Sequence, residues 1–447
     1  MPAPYPALLL MASWLAGVWL PIYSELPLTQ IWWSAVIISV TVWTWSRKRW
    51  VLFPCACCVV AAAGSLYLTW WRESNYVAVA NKPFADSTLV LEGSTIRDDR
   101  TTTLVRTSYG NRPNLRFTLV EKGTIQRTPG EVLQITGYTR PPPFQMESYA
   151  RWMERHRIQG SIVAKTAIKT GSAAGFLELF PLVGARLQRS ILSSFPGEPG
   201  QLLAGLLLGA KQSLSNDLTA ALRATGTSHL VAISGANVVI ILGIVLQILP
   251  TYSLRSRTLY SVLIGLIICL LTGASASVVR GALTVGIASI LQLLGRHPNR
   301  GGLFILPAFL MSVGNPLLPS SDVGFQLSFA AIGGVLFVQP YLARILERPF
   351  KHVPRVITSS LQETAAATIG TAPVAYTVFG TTSWLGLAVN PLLLWLVPPI
   401  SFLGLAYLCF GWIAPVKSIL VLVLTPMLRI FLGCIRWFAA HLGGLPP

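Results

Sequence analysis

Long apolar runs alternate with short polar stretches over most of the chain, and the run 50–71 shows this pattern most plainly. It contains no charged residue, and Trp50, Trp70 and Trp71 stand at its two ends. A helix needs about 20 apolar residues to cross the hydrocarbon core of a bilayer, and tryptophan is enriched at both membrane interfaces. This run therefore predicts a membrane-spanning helix.

Further apolar runs of comparable length predict further membrane-spanning helices. They lie at about 7–23, 28–45, 229–249, 259–271, 278–294, 303–318, 323–342, 356–379, 384–410 and 419–442. The first run lacks a preceding basic segment and a following small-residue cleavage site, so we do not interpret it as a secretory signal peptide. The pattern predicts about three helices before residue 72 and a larger helical region towards the C-terminus.

A region of different pattern, about 72–170, interrupts the apolar runs. Apolar and polar residues alternate there with a period of two, which is typical of half-buried β-strands. The predicted strands are Thr88–Glu92, Thr103–Thr107, Arg116–Glu121, Glu131–Thr136 and Ser161–Ile168. Glycine and proline occupy turns between them, and Ser148–Arg157 predicts one helix. Five strands and one helix favour a small OB-like barrel.

The segment 171–227 carries a weaker, amphipathic pattern. Residues 176–195 predict a helix lying in the membrane interface, and two short helices are predicted around 202–208 and 218–224, as a re-entrant pair. The predicted domains are 1–71 with about three membrane helices, 72–170 with an exported OB-like β-domain, 171–227 with interfacial and re-entrant helices, and 228–447 with the C-terminal transmembrane helices. The predicted fold class is a polytopic α-helical membrane protein with an inserted small all-β soluble domain.

The composition agrees with this fold class and adds an orientation. Only 11% of the residues are charged and 53% are hydrophobic, whereas about a quarter are charged in soluble domains. Lysine and arginine concentrate in cytoplasmic loops. The basic loops 47–49 and 344–355 should therefore share the cytoplasmic side with the N-terminus. We expect a multi-pass protein of the inner (cell) membrane with the β-domain external or periplasmic.

Residues capable of metal binding or nucleophilic catalysis are dispersed along the sequence. All six cysteines lie in apolar runs, and the five histidines show no spacing of a known metal motif. We therefore expect no metal site, no cofactor and no catalytic residue. His229 and Ser234 are five residues apart and would point to different faces of one helix. An intramembrane enzyme using these two residues with Asn237 is the alternative from another class.

Polar residues and glycines punctuate the later apolar runs. His229, Ser234, Gly235 and Asn237 open one run, and Arg280 lies near the start of another. Such groups at membrane depth usually face a bundle interior or an aqueous cavity. Alternatively, the histidine caps a helix at the headgroup level while the serine and glycine let helices approach closely. Arg280 either snorkels to the interface or lines a route for anions.

Two further runs carry polar residues of the same kind. We expect Asp322 to cap the helix that it precedes, with Gln326 one turn inside that helix. Glu363 lies within an apolar segment, where a carboxylate needs water or a basic partner. We expect Glu363 to face the same cavity as Arg280 or to be neutralised by it.

At these positions the sequence resembles the ComEC-type competence proteins, which form the DNA-internalisation channel of natural transformation. The string His229-Leu-Val-Ala-Ile-Ser-Gly235 resembles the family signature H-L-x-A-I-S-G. Further matches follow in the family's order: Gly273 and Arg280; Asn315-Pro316, Asp322 and Gly324-Phe-Gln-Leu-Ser328; Glu363, Pro373, Gly380 and Asn390-Pro391. The insert is similar to the family's N-terminal domain, ending in Pro141–Phe144, Tyr149 and Arg157–Gly160.

This resemblance covers nearly the whole chain and implies a channel, not an enzyme, that passes single-stranded transforming DNA into the cytoplasm. The candidate channel-lining residues are His229, Ser234, Gly235, Asn237, Arg280, Gln326, Glu363 and Asn390. The implied partners are single-stranded DNA, membrane lipid, an external DNA receptor and a cytoplasmic motor or strand-binding protein. A second copy of the chain is a further candidate partner.

The sequence departs from the family pattern in two places. Asn237 stands where the family commonly has a second histidine, which puts a paired-histidine role in doubt. Many members also carry a C-terminal metallo-β-lactamase-like nuclease domain, whereas this sequence ends at Pro447 with no zinc motif. We expect either a form lacking the nuclease domain or a truncated chain.

The physical needs of a DNA strand agree with this function. Grooves for single strands are basic and carry aromatic stacking surfaces, and the insert has 15 basic and 9 acidic residues. Its candidates for stacking, or alternatively for core packing, are Tyr109, Phe117, Tyr138, Phe144, Tyr149 and Trp152. No G-x-x-x-x-G-K-[ST] loop occurs, so a separate motor or strand capture must drive transport. A small-solute transporter would predict inverted repeats, and the His229 signature does not repeat.

Overall fold

A computed structural model describes most of the chain, which forms two compact units. The described residues are 6–23, 52–75, 83–97, 100–109, 112–122, 131–141, 153, 157–172, 179–210, 214–231, 235–248, 253–297, 299–346, 355–379 and 385–442. Unit 1 comprises Met1–Leu182 and Gly301–Val323, and unit 2 comprises Val183–Arg300 and Gly324–Pro447. The predicted run 28–45, most of the predicted helix 148–157 and the predicted turns at 110, 123 and 129–130 lie outside the described residues.

Helices and strands follow one another in the order that the hydrophobic pattern predicts. The helices are α1 (Pro6–Tyr23), α2 (Leu52–Asn75), α3 (Leu179–Ser194), α4 (Glu198–Leu208), α5 (Asn216–Ala224), α6 (Ser228–Val231), α7 (Gly235–Ile248), α8 (Leu254–Leu271), α9 (Ala276–Leu293), α10 (Arg300–Gly314), α11 (Leu318–Ser321), α12 (Val323–Gly333), α13 (Gln339–Leu346), α14 (Arg355–Phe379), α15 (Gly386–Leu393), α16 (Val397–Phe410) and α17 (Ala414–Leu442). The strands are β1 (Pro83–Arg97), β2 (Arg100–Tyr109), β3 (Arg112–Lys122), β4 (Glu131–Arg140) and β5 (Ile158–Ser172). A π-helical segment, Gly334–Val338, joins α12 to α13.

The strands of unit 1 close into a barrel in the order β1-β2-β3-β5-β4. All neighbouring pairs are antiparallel except β3 and β5, which are parallel. On β4, Leu133 and Ile135 are buried whereas Gln134 and Thr136 are exposed, which is the predicted period of two. Closure pairs the strand edges that would otherwise remain open. Each of the predicted strands lies within one observed strand.

Small residues bring α1 and α2 of unit 1 into backbone contact. Gly17 lies directly against the backbone of Ala61, and a Cβ on Gly64 would lie 2.9 Å from the carbonyl oxygen of Trp14. Ser65 donates its hydroxyl to the carbonyl oxygen of Gly17 at 2.6 Å. Small residues and serine bonds of this kind are typical of helix pairs packed in a membrane.

Within the described residues, four helical segments are long and apolar enough to cross a membrane. They are α8, α9, the continuous stretch Val323–Leu346 and α17. Together α15 and α16 form a fifth candidate, bent by 49°. The sequence predicted one apolar run at 384–410, and the structure divides this run into two helices. Pro398 and Pro399 occupy the first turn of α16, where their missing amide hydrogens favour a new helix start over continuation.

The core of unit 2 is built around the short helix α4. Leu202, Leu203, Leu206 and Leu207 are all buried there, so this helix is enclosed on every side. A helix that is apolar all round belongs in the interior of a bundle. The two short helices predicted around 202–208 and 218–224 are confirmed as α4 and α5. Their re-entrant placement in a membrane stays a prediction.

Candidate polar site at the start of α7

The first residue of α7, Gly235, packs directly against α9. A Cβ on Gly235 would lie 2.7 Å from the carbonyl oxygen of Ser277, and a Cβ on Gly281 would lie 2.6 Å from the carbonyl oxygen of Gly235. Only residues without a side chain allow two helices to approach this closely. The two glycines therefore define a crossing of α7 and α9, which we call the glycine crossing.

Arg280 lies at this glycine crossing. Its side chain is 8% exposed, and its outer nitrogen Nη2 is the atom nearest to the position of a Cβ on Gly235. Its Nε has no hydrogen-bond partner among the described residues. The guanidinium carbon lies 5.9 Å from the centre of the Phe329 ring, at the outer limit of a cation–π contact. Within the described part of the chain, this charge is thus enclosed without a carboxylate partner.

The beginning of α12 completes the surroundings of Arg280. Ser277 donates its hydroxyl to the carbonyl oxygen of Gly324 at 3.5 Å. The buried rings of Phe325 and Phe329 pack together with their centres 4.4 Å apart. Three segments that the sequence marked separately, namely 229–237, 273–280 and 324–328, therefore contribute to one region around Arg280.

His229 lies on α6, the short helix that directly precedes α7. Its Nδ1 is 3.0 Å from the carbonyl oxygen of Gly226, and the imidazole is exposed. A Cβ on Gly386 of α15 would lie 3.6 Å from the same carbonyl oxygen. The turn before α6 is thus packed against α15, the helix that carries Asn390.

Two buried asparagines accompany these contacts. Asn237 is 4% exposed on α7, and Asn390 is 5% exposed on α15. The Oδ1 atom of Asn390 has no partner among the described residues. Buried amides normally have hydrogen-bond partners, and an unsatisfied oxygen costs about 1–3 kcal/mol. The Oδ1 atom of Asn390 is therefore a second polar atom to which the described residues offer no donor.

Gln326 lies near the start of α12, within the segment 324–328, whereas Glu363 lies near a different contact. The π-helical segment packs against α14, where a Cβ on Gly370 would lie 2.9 Å from the Cα of Gly334. Glu363 lies on α14 near this contact and is exposed, and it forms no ion pair with Arg280. The expected neutralisation of Glu363 by Arg280 was wrong, because the helix carrying the carboxylate packs on the π-helical segment and not at the glycine crossing. Ser234 lies outside the described residues.

Sequence reasoning missed Gly281, Phe329 and the π-helical segment. A glycine inside a helical pattern usually has a packing reason, so the Arg280-Gly281 pair was a usable signal. Phe329 follows the matched segment 324–328 directly and resembled any other apolar residue. No local pattern marks the π-helical segment, which depends on Gly334 meeting α14.

The barrel surface contributes one candidate contact of its own. Phe117 is fully buried in the barrel core, so stacking by this residue is excluded and core packing is confirmed. Tyr138 is half-buried on β4, and Arg140 lies over its ring at 5.0 Å and donates to its hydroxyl at 2.9 Å. The side chains of the other stacking candidates, Tyr109, Phe144, Tyr149 and Trp152, lie outside the described residues.

No group of His, Cys, Asp or Glu residues within the described ranges could hold a metal ion. The arrangement around Arg280 is one of packed helices with enclosed polar groups. The groups brought together there are an arginine fork, backbone groups and an aromatic ring, a set that could bind a negative or polar group.

The fold and site define a mostly helical protein whose described residues include four or five helices suited to crossing a membrane and one small β-barrel. Comparison with known protein families shows which family this chain belongs to. Residues 206–445 match the model of the Competence protein family, which is more than half of the 447-residue chain. The chain belongs to this family.

One curated relative is Recombination protein 2 of Haemophilus influenzae. It is 28% identical over 223 residues, which cover 47% of this chain and 28% of the relative. The chain thus spans well under a third of the length of that relative. No solved structure matches the chain.

Proposed function

We propose that this protein is a channel of the cell membrane that passes single-stranded transforming DNA into the cytoplasm during natural competence. Membership of the Competence protein family, matched over residues 206–445, is the observation that carries the proposal. The matched region contains the glycine crossing, Arg280 and both buried asparagines. It also contains, in full, the four single candidate spans and the bent pair α15–α16.

The proposed DNA path runs past the polar groups enclosed in the family-matched region. Arg280 and Asn390 supply polar atoms without partners among the described residues. Polar groups without partners in hydrocarbon are costly and mark routes for ions or substrates. We include in the path His229, Ser234, Gly235, Asn237, Arg280, Gln326, Glu363 and Asn390.

The barrel is proposed as an OB-like domain on the outer side of the membrane. The strand order β1-β2-β3-β5-β4 with a parallel β3–β5 pair supports this assignment. Tyr138 and Arg140 on β4 offer a ring face and a cation, the two groups that single-strand grooves combine. With the N-terminus in the cytoplasm, this domain would meet the incoming strand first.

Transport also requires partners. The chain contains no phosphate-binding loop of the Walker type, so we propose that a cytoplasmic motor or a strand-binding protein drives movement. An external receptor would deliver the DNA, and membrane lipid would surround the exposed apolar faces. A second copy of the chain is a further proposed partner.

Deletion of the chain in a naturally competent cell tests this function. We expect labelled DNA to remain bound at the cell surface while the DNase-protected fraction disappears, and re-expression should restore it. The amount of DNA captured at the cell surface should not change, because the deletion removes no external receptor. Normal DNase-protected uptake in the deletion strain would contradict the proposal.

A further inference from the structure

We infer that Arg280 and the first turn of α7 form a binding site for one phosphodiester group of the DNA strand. This inference rests on the proposed function and names the part of the substrate that the site contacts. The site consists of the guanidinium of Arg280 and the backbone at Gly235. Gly281 packs against the backbone of Gly235 and so fixes the position of α7 beside Arg280.

The position of the guanidinium supports a site rather than a surface anchor. Arg280 is 8% exposed and points at the first residue of α7, since its Nη2 lies where a Cβ on Gly235 would be. Nε is enclosed and has no partner within the described residues. An anion must therefore meet the two outer nitrogens, which are the fork that binds phosphate in a bidentate manner.

The electrostatics of the site demand a negative charge. The N-terminus of a helix carries a partial positive charge and amides without intrahelical acceptors. The positively charged guanidinium of Arg280 lies against the partially positive N-terminus of α7, so two positive charges are adjacent. Within the described residues of unit 2, Glu198 pairs with Arg436 at 2.6 Å, and Glu363 is exposed on α14. An anion bound between the arginine and the helix end would satisfy both at once.

The close packing around the guanidinium favours a small anionic group. Gly235 and Gly281 let the backbones of α7 and α9 approach closely beside the guanidinium, and the centre of the Phe329 ring lies 5.9 Å from the guanidinium carbon. Under the proposed function, the anion that repeats along the substrate is the phosphodiester group. Phosphate contacts position a strand without reading its sequence, as a channel for transforming DNA requires.

The test uses the full chain in phosphatidylcholine nanodiscs and a short fluorescent oligothymidylate, titrated at several salt concentrations. One lost phosphate contact lowers the slope of log K against log salt by about 0.7 for a single strand. We expect Arg280→Gln to lower the slope by that amount and to weaken binding about tenfold at low salt. Arg280→Lys should keep the slope and lose part of the affinity. Arg429→Gln, which removes an exposed arginine from α17, should change neither.

A strand with neutral methylphosphonate linkages separates contact from folding. Arg280→Gln should make no difference to the binding of this strand, because the partner group is already absent. An equal loss on charged and neutral strands would overturn the inference and assign Arg280 a packing role. A second set of nanodiscs contains phosphatidylglycerol, an anionic lipid. If Arg280→Gln changes binding of this lipid but not binding of the oligonucleotide, the site binds lipid and the inference is overturned. An unchanged slope in Arg280→Gln overturns the inference alone, whereas failure of the proposed function appears as normal uptake in the deletion strain.

Discussion

Burying an arginine without a carboxylate costs several kcal/mol, even after the surroundings relax. Arg280 is 8% exposed and has the Phe329 ring at 5.9 Å as its aromatic neighbour. A cation–π contact at that distance stabilises by about 0.5–2 kcal/mol and does not offset the burial. At the scale of single residues, the enclosed charge is therefore the feature that most needs a functional explanation.

Uptake by Arg280 variants tests that explanation in cells. Arg280→Ala and Arg280→Glu should both reduce transformation, Glu more strongly because it repels phosphate, whereas Arg280→Lys should retain part of it. The measurement is transformation frequency normalised to the amount of folded protein in the membrane. Arg429→Ala provides the matched control, since that arginine is exposed. Normal normalised transformation in Arg280→Ala would remove this residue from the DNA path.

The glycine crossing gives a second prediction at this scale. A Cβ on Gly281 would lie 2.6 Å from the carbonyl oxygen of Gly235, so Gly281→Ala must push α7 and α9 apart. We expect a loss of about 1–3 kcal/mol in stability, the usual cost of overpacking. Thermal unfolding of the detergent-solubilised protein measures it. Gly243→Ala on α7 meets nothing within 4 Å and should be neutral or slightly stabilising. Equal midpoints for the two variants would contradict the crossing.

Helices α3 and α16 are joined by one buried tyrosine. The hydroxyl of Tyr407 donates to the carbonyl oxygen of Ser190 at 3.0 Å and lies 2.7 Å from Oγ of Ser194. Its ring packs edge-on against Phe195 with centres 5.3 Å apart. At the scale of elements, this contact holds the amphipathic helix α3 on the core of unit 2.

Removal of that hydroxyl should loosen α3. We expect Tyr407→Phe to cost about 1 kcal/mol, because it leaves the serine groups without their partner while the ring contact remains. Thermal unfolding and the protease susceptibility of α3 would both report the change. Tyr376→Phe is the control, since Tyr376 is 66% exposed. An unfolding midpoint for Tyr407→Phe that matches the control would show that this network contributes nothing.

Elements with a local cause were predictable, and elements that depend on tertiary contacts were not. The strands were found because Leu133 and Ile135 alternate with polar neighbours over one half-buried face. The bend between α15 and α16 was missed because Pro398 and Pro399 sit inside an apolar run that hides the break. The sequence placed Glu363 with Arg280 because both are rare charges in apolar segments. In the structure, the helix of Arg280 packs against α7, whereas the helix of Glu363 packs against the π-helical segment. Periodicity shows which face is apolar, not which helix that face will meet.

At the scale of the whole molecule, the basic loops predict an orientation in the membrane. Reporters inserted at 47–49 and at 344–355 should both give cytoplasmic signals, and one at Gly110 should give an exported signal. These insertion sites lie largely outside the described residues, so the prediction rests on charge. Alkaline phosphatase and fluorescent-protein fusions of equal abundance measure the two sides. A cytoplasmic signal from Gly110 would remove the external DNA-contacting role of the barrel.

Under the proposed function, the DNA strand passes through the family-matched helical region of the chain. The most direct measurement supplies competent cells with DNA carrying photoreactive bases, irradiates during uptake and maps the adducts by mass spectrometry. We expect adducts in peptides covering 277–281 and 324–329, and none at exposed apolar positions of α8 such as Leu263 and Leu266, which we propose face lipid. Adducts that spare both peptides while DNA is being internalised would contradict this expectation.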